Sequence, residues 1–164
     1  MVVILHNIRS LHNVGSIFRT ADAVGTQKLY LGGITPGPVD RFGKLEPKFA
    51  KVALGAEKSV TWEKVAQTSQ VIKSLKQEGY KIFTIEQSRR SIQYYSLPTT
   101  HYKLAKVALV LGAEVEGLPA NILAKCDKIL EIPMLGGKES LNVSVAFGIV
   151  AFHLRYGHTR KTSR

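Results

Sequence analysis

The sequence predicts an α/β domain, a mostly parallel sheet flanked by helices, on three observations. Short aliphatic runs, of which Val2 to Leu5 and Lys106 to Leu111 are the purest, read as strands covered on both faces. Between such runs lie segments whose apolar residues recur at helical spacing. Strands that alternate with helices make crossover units, and crossover units pair their strands in parallel.

Taken in order, Val2 to Leu5 is the first strand and Asn7 to His12 a polar loop. Asn13 can cap a helix from Val14 to Val24, with Ile17, Phe18, Ala21 and Val24 on its apolar side and Gly25 closing it. Lys28 to Leu31 is a second strand broken by Gly32-Gly33. Ile34 to Leu45 holds Pro36, Pro38 and two glycines and reads as a loop that exposes Arg41 and Lys44. Pro47 to Leu54 suits a short helix, and Trp62 to Gln77 a longer amphipathic one ended by Gly79. Tyr80 to Ile85 is a strand, and Lys106 to Leu111 is aliphatic enough for the middle of the sheet. Pro119 at the first helical position opens a short helix to Lys125, and Lys128 to Ile132 is a last strand stopped by Pro133.

The chain has 164 residues, enough for one domain with a real core, here expected over 1–158 with a basic tail at 159–164. No apolar run reaches the length of a membrane span, and the first residues lack a secretory leader. A single cysteine, Cys126, cannot form an internal disulfide, which fits a reducing cytosol. The histidines and Cys126 have no metal-ligand spacing. Lys and Arg number 23 against 12 Asp and Glu, a net charge of +11 that favours a polyanionic partner, nucleic acid before an anionic membrane.

Three stretches concentrate chemistry. The first, Asn7 to Ala23, sets Asn13 six positions before Arg19. Arg19 on a helix can pair with Asp22 at the surface, or its planar fork can grip phosphate. The second, Leu109 to Pro119, is a strand followed by Gly112, Glu114 and Gly117, at the strand end where open α/β sheets place ligands. The third is Ile132-Pro133-Met134, a loop with Gly136 and Gly137, then Ser140-Leu141-Asn142-Val143-Ser144-Val145-Ala146. Ser140 has the chemistry of a helix start, and capping alone can account for Ser140 and Asn142. The helix that follows is apolar nearly all round, so it should be buried in the domain or against a second copy.

These stretches, in this order, resemble the three motifs of the SPOUT superfamily of RNA methyltransferases, in its TrmH-like ribose 2′-O-methyltransferase branch. Asn13 and Arg19 match the first motif, Gly112-x-Glu114-x-x-Gly117 the second, and Ile132 through Ala146 the third. The 26 positions from Glu114 to Ser140, and 28 to Asn142, agree with that family. The resemblance implies a C-terminal trefoil knot that sequence physics would not suggest. It implies S-adenosylmethionine as methyl donor, bound by Ile85 and Glu86, by Leu111, Gly112 and Gly117, and by Ile132, Met134 and Leu141. The same resemblance gives Arg19 the activation of the ribose hydroxyl, with Asn13, Glu114, Ser140 and Asn142 in support. Because arginine keeps its proton in proteins, holding a phosphate that draws the proton away is the easier role.

With no separate RNA-binding domain expected, recognition would fall to the basic surface of the core, including Arg9, Arg41, Lys44 and Arg89. Each of these also reads as an ordinary solvated charge. The Ser140 to Tyr156 and Val14 to Val24 helices are expected to form a homodimer. Two other classes stay open beside the enzyme. One is an RNA-binding protein that keeps the fold without the activity. The other, a nucleotide-binding oxidoreductase, lacks its Gly-x-Gly-x-x-Gly loop after the first strand.

Overall fold

In a computed structural model, which describes residues 1–97 and 104–157, the strands lie side by side in one sheet. They are β1 (Val2–His6), β2 (Lys28–Gly32), β3 (Trp62–Val65), β4 (Lys81–Ile85), β5 (Ile92–Gln93), β6 (Val107–Leu111) and β7 (Lys128–Glu131). Their order is β3-β2-β1-β6-β4-β7-β5, and each of these pairings is parallel. The expected domain boundary at 158 and the tail 159–164 lie outside the described residues.

The two purest aliphatic runs take the middle. Val2 stands opposite Lys28 on one side and Ala108 on the other, and all five residues of β6 are buried. Because side chains alternate along a strand, Val3 and Leu5 enter one core and Val2 and Ile4 another. The first core lies under α1 (Leu11–Ala23), α2 (Pro47–Ala53) and α6 (Val143–Tyr156), with Phe18 and Phe49 meeting edge to face at 5.0 Å. The second lies under α4 (Thr68–Gln77) and α5 (Ala120–Leu123), through Ile72, Leu75 and Ile122. A further short helix, α3 (Ala56–Ser59), follows α2. Among the described residues no helix is long and apolar enough to cross a membrane.

Several expected boundaries move, each for a local reason. Trp62 to Gln77 is not one helix: Trp62 to Val65 is the edge strand β3, and helix begins only at Thr68. Ladder bonds to β2 decide it, with the Leu29 N–H donating to Thr61 and the Gly33 N–H to Val65, and Lys28 pairing across the strands with Glu63 at 2.6 Å. Helix α1 starts earlier than expected because Ser10, not Asn13, is its cap; the Ser10 hydroxyl accepts from the Asn13 N–H at 3.2 Å. That puts Asn13 inside the first turn with its side chain available. Asn142 rather than Ser140 caps α6, its Oδ1 accepting from the Ser144 N–H at 2.9 Å. Pro119 sits one place before the first helical position of α5. Gly25 and Gly79 close α1 and α4 as expected, each followed by the paired bonds of a Schellman motif.

Helix α6 is only half buried. Phe147, Val150, Ala151 and Leu154 face the core, while Val145, Phe152 and Tyr156 stay exposed on the opposite side. The large apolar residues Val14, Ile17 and Phe18 of α1 are buried inside the chain, where α1 packs on α2 and α6, so the uncovered stripe belongs to α6.

Candidate functional site

Strands β4, β6 and β7 end side by side at the same edge of the sheet, and the loops leaving them enclose a cavity of about 470 Å³. That volume is in the range of small-molecule sites. Its floor is the β6 exit. A methyl group added at Gly112 would stand 2.6 Å from the Gly117 carbonyl carbon and 2.8 Å from a Glu86 carboxylate oxygen. Gly117 lies at φ +65°, and a methyl group there would also meet Glu86 at 2.8 Å. Glycine is therefore required at both positions. Glu86 is fixed by the Leu118 N–H, which donates to it at 2.9 Å, and burial holds its carboxyl above the usual range against that bond.

The cavity mouth is tied by a chain of hydrogen bonds that joins parts of the sequence more than a hundred residues apart. The Asn142 amide donates to Asn13 Oδ1 at 3.0 Å, and the Asn13 amide donates to Glu114 Oε1 at 2.9 Å. Glu114 also accepts from the backbone N–H groups of Arg9 at 3.2 Å and Ser10 at 3.3 Å. The carboxylate thus sits at the N-terminus of α1, where the helix dipole favours an anion. Burial pushes this carboxyl up, but the Asn13 side chain and the N–H groups of Glu114, Arg9 and Ser10 outweigh it, and the net direction is down.

The structure gathers most of the expected site residues here. Ile85, Glu86, Leu111, Gly112, Gly117, Ile132, Met134 and Leu141 all line the cavity, as do Glu114, Ser140 and Asn142. Asn13 stands behind them as the link. Arg19 is not part of the lining: it is exposed on α1, about 9 Å along the axis from Asn13 at 1.5 Å per residue. The ion pair with Asp22 does not form; Asp22 accepts instead from the Ser59 hydroxyl at 2.6 Å, and Arg19 makes no ion pair among the described residues. Arg9 holds Glu116 at 3.3 Å in an exposed pair of the weak kind, while Arg41, Lys44 and Arg89 are exposed around other loops.

Sequence reasoning missed Gln87 and Glu131, which also line the cavity. The Gln87 amide donates to the Glu139 carbonyl and strings the β4 exit to the glycine loop; Glu131 accepts from the Ser91 hydroxyl. Both stand within two residues of positions read as site residues, so the strand-end rule applied one residue either way would have found them. With Glu86, Glu114 and Glu131, the cavity is acidic inside a protein of net charge +11.

Comparison with known proteins gives the family. The model of the SpoU rRNA Methylase family matches residues 1–152. The 23S rRNA (guanosine-2'-O-)-methyltransferase RlmB of Escherichia coli (strain K12) is 34% identical over 151 residues, 92% of this chain but 58% of its own length. The chain thus spans well under two thirds of such relatives. Among solved structures, the A. aeolicus TrmH/SpoU tRNA modifying enzyme superposes with a TM-score of 0.79 at 32% identity, covering 94% of this chain and 73% of that one. An AdoMet-bound rRNA methyltransferase from Sinorhizobium meliloti gives 0.83 at 27% identity, covering 96% and 56%. With its motif loops gathered at one cavity and the family model matched along nearly its whole length, the chain belongs to the SpoU rRNA methylase family.

Proposed function

We propose that the protein transfers a methyl group from S-adenosylmethionine to a ribose 2′-OH of tRNA or rRNA. The observation that carries this reading is the acidic cavity, bounded by the loops of the second and third motifs and tied to the first through Asn13, in a cationic molecule. Carboxylates within suit a small cationic ligand, and positive charge without suits a polyanion.

The residues present fit the donor. The Gly112 and Gly117 backbone leaves room for close approach; Leu111, Ile132, Met134 and Leu141 supply apolar walls; Glu86 and Glu131 supply acceptors for hydroxyl or ammonium groups. S-adenosylmethionine, when bound, supplies an electrophilic methyl group on a sulfonium. Asn13, Glu114 and Asn142 hold the motif loops in register, so that a ribose oxygen meets a prearranged site. Arg19 grips a backbone phosphate that draws the hydroxyl proton away, and Ser140 orients the ribose. Arg9, Arg41, Lys44 and Arg89 contact the RNA backbone. A cytosolic location follows from this substrate and donor. Calorimetry should detect the donor without RNA, with a rise in melting temperature, since a ligand of the native state stabilises it. No heat and no shift at millimolar donor would defeat the reading.

A trefoil knot belongs to the same proposal. Its support is that β7 sits between β4 and β5 while the chain after β7 returns across β4 to α1 as α6. So does a homodimer through α6. The support there is the stripe of Val145, Phe152 and Tyr156, with the last two rings stacked at 5.9 Å, which one chain leaves in water. Sedimentation at micromolar concentration should give twice the 18.1 kDa chain mass, and Val145→Asp with Phe152→Asp should halve it. A monomer mass for the unmodified protein would exclude the dimer.

A further inference from the structure

The segment between β2 and α2 ends in a tip whose phenylalanine, Phe42, has no role in the reading above. Val39 and Leu45 form an antiparallel bridge, and the Asp40 N–H donates to the Lys44 carbonyl at 2.9 Å. The Asp40 carboxylate accepts from the N–H groups of Phe42 at 2.8 Å and Lys44 at 3.0 Å. Four residues are thereby locked into a turn, with Gly43 at φ +75°. This turn holds Phe42 79% exposed, an unusual place for a phenyl ring in a loop so fully bonded.

The Arg41 guanidinium lies 4.7 Å from the centre of the Phe42 ring. It covers one face and leaves the other open to a planar partner. Lys44 follows on the turn, and Lys48 and Lys51 follow on α2, three residues apart and both exposed. The acids of this region are occupied by backbone: Asp40 in the turn, and Glu46 as the cap of α2, accepting from the Lys48 N–H. The base of the loop is anchored beside the α1 entry, with the Ile34 N–H donating to Asn7 and the Ile8 N–H to Thr35. The tip therefore springs from the same edge of the sheet as the cavity.

We infer that Phe42, backed by Arg41, is a stacking platform for an unpaired base of the RNA substrate, with Lys44, Lys48 and Lys51 holding the adjoining phosphates. An exposed ring with a cation on its far side is how proteins grip splayed-out bases without reading their edges. A protein partner is the poorer fit, because charges are depleted at the centre of protein interfaces. A second copy of this chain would bring two cationic tips together. The inference rests on the RNA methyltransferase reading, and its test separates the two.

The test measures affinity for total tRNA and for a labelled single-stranded oligoribonucleotide, at several salt concentrations, with donor affinity and sedimentation mass alongside. Phe42→Ala should weaken RNA binding roughly tenfold, the scale of one lost base stack, with the salt slope unchanged because no charge is removed. Phe42→Trp should restore binding and Phe42→Leu should not. Lys48→Gln, which removes a phosphate contact, should lower the salt slope by about one. Donor affinity should stay constant throughout. RNA affinity in Phe42→Ala or Phe42→Leu equal to wild type overturns the platform alone. So does a loss of dimer mass in Phe42→Ala, which would make the tip a protein contact. A wild-type protein that binds no RNA overturns the platform together with the reading it rests on.

Discussion

Replacing Arg19 by alanine is expected to slow methyl transfer by about a hundredfold or more while leaving the fold and donor affinity nearly intact. Three observations explain why the loss should fall on the rate and not on the fold or the donor site. Arg19 makes no ion pair among the described residues, so its removal breaks no structural contact of that kind. It lies outside the cavity lining, so the donor site keeps its walls. It is exposed on the helix whose first turn carries Asn13, the link to Glu114 and Asn142. A guanidinium used chiefly in the transition state lowers kcat rather than donor affinity, by about a hundred- to a thousandfold for one lost donor. Arg19→Lys keeps the charge but loses the bidentate fork, and should recover only part of the rate. Single-turnover transfer of a tritiated methyl group to RNA, at saturating donor, measures this. Near-wild-type turnover by Arg19→Ala would move the chemistry to Glu114 or Asn142.

The second large effect is expected at Gly112. An alanine there must displace backbone on the far side of the floor, at 2.6 and 2.7 Å, as well as the Glu86 carboxylate. Neither backbone atom is the end of a flexible side chain, so the loop itself has to move. Crowding of this kind costs about 1–3 kcal/mol of stability. The displaced loop also carries Glu114 and Gly117, so donor affinity should fall at least tenfold and methyl transfer with it. Calorimetry beside thermal unfolding separates the two consequences. A folded Gly112→Ala protein with wild-type donor affinity would show that the floor of this cavity does not hold the donor.

Much of the fold was legible because its strands are covered on both sides. Val2 to Leu5 and Val107 to Leu111 are aliphatic without alternation, and only a central place in a parallel sheet asks for that. Edges were harder. In Trp62-Glu63-Lys64-Val65 only one partner strand and partial burial distinguish strand from helix. Its residues run directly into a helix whose apolar spacing they continue. Strand β5, two residues long, carries no pattern of its own. The start of α1 was ambiguous because Ser10 and Asn13 both have capping chemistry; Glu114, far away in sequence, takes the Asn13 side chain and leaves the cap to Ser10. The site was legible through its motif spacing. Its contacts were not, since the Asn142 to Asn13 bond and the closure of Gly112 on Gly117 and Glu86 depend on how three loops fold together. The Phe42 tip was invisible for another reason: a lone phenylalanine between arginine and glycine has no period to betray it.

If this cavity serves ribose methylation of RNA, mass spectrometry of nucleosides will show it in tRNA and rRNA prepared from cells with the gene, without it, and with Arg19→Ala in its place. A 2′-O-methylated nucleoside should be present in the first, absent in the second and nearly absent in the third. Purified protein and S-adenosylmethionine should restore it on RNA from the deletion strain. Unchanged 2′-O-methylation in all three, or a methyl group that appears on a base instead of a ribose, would contradict it.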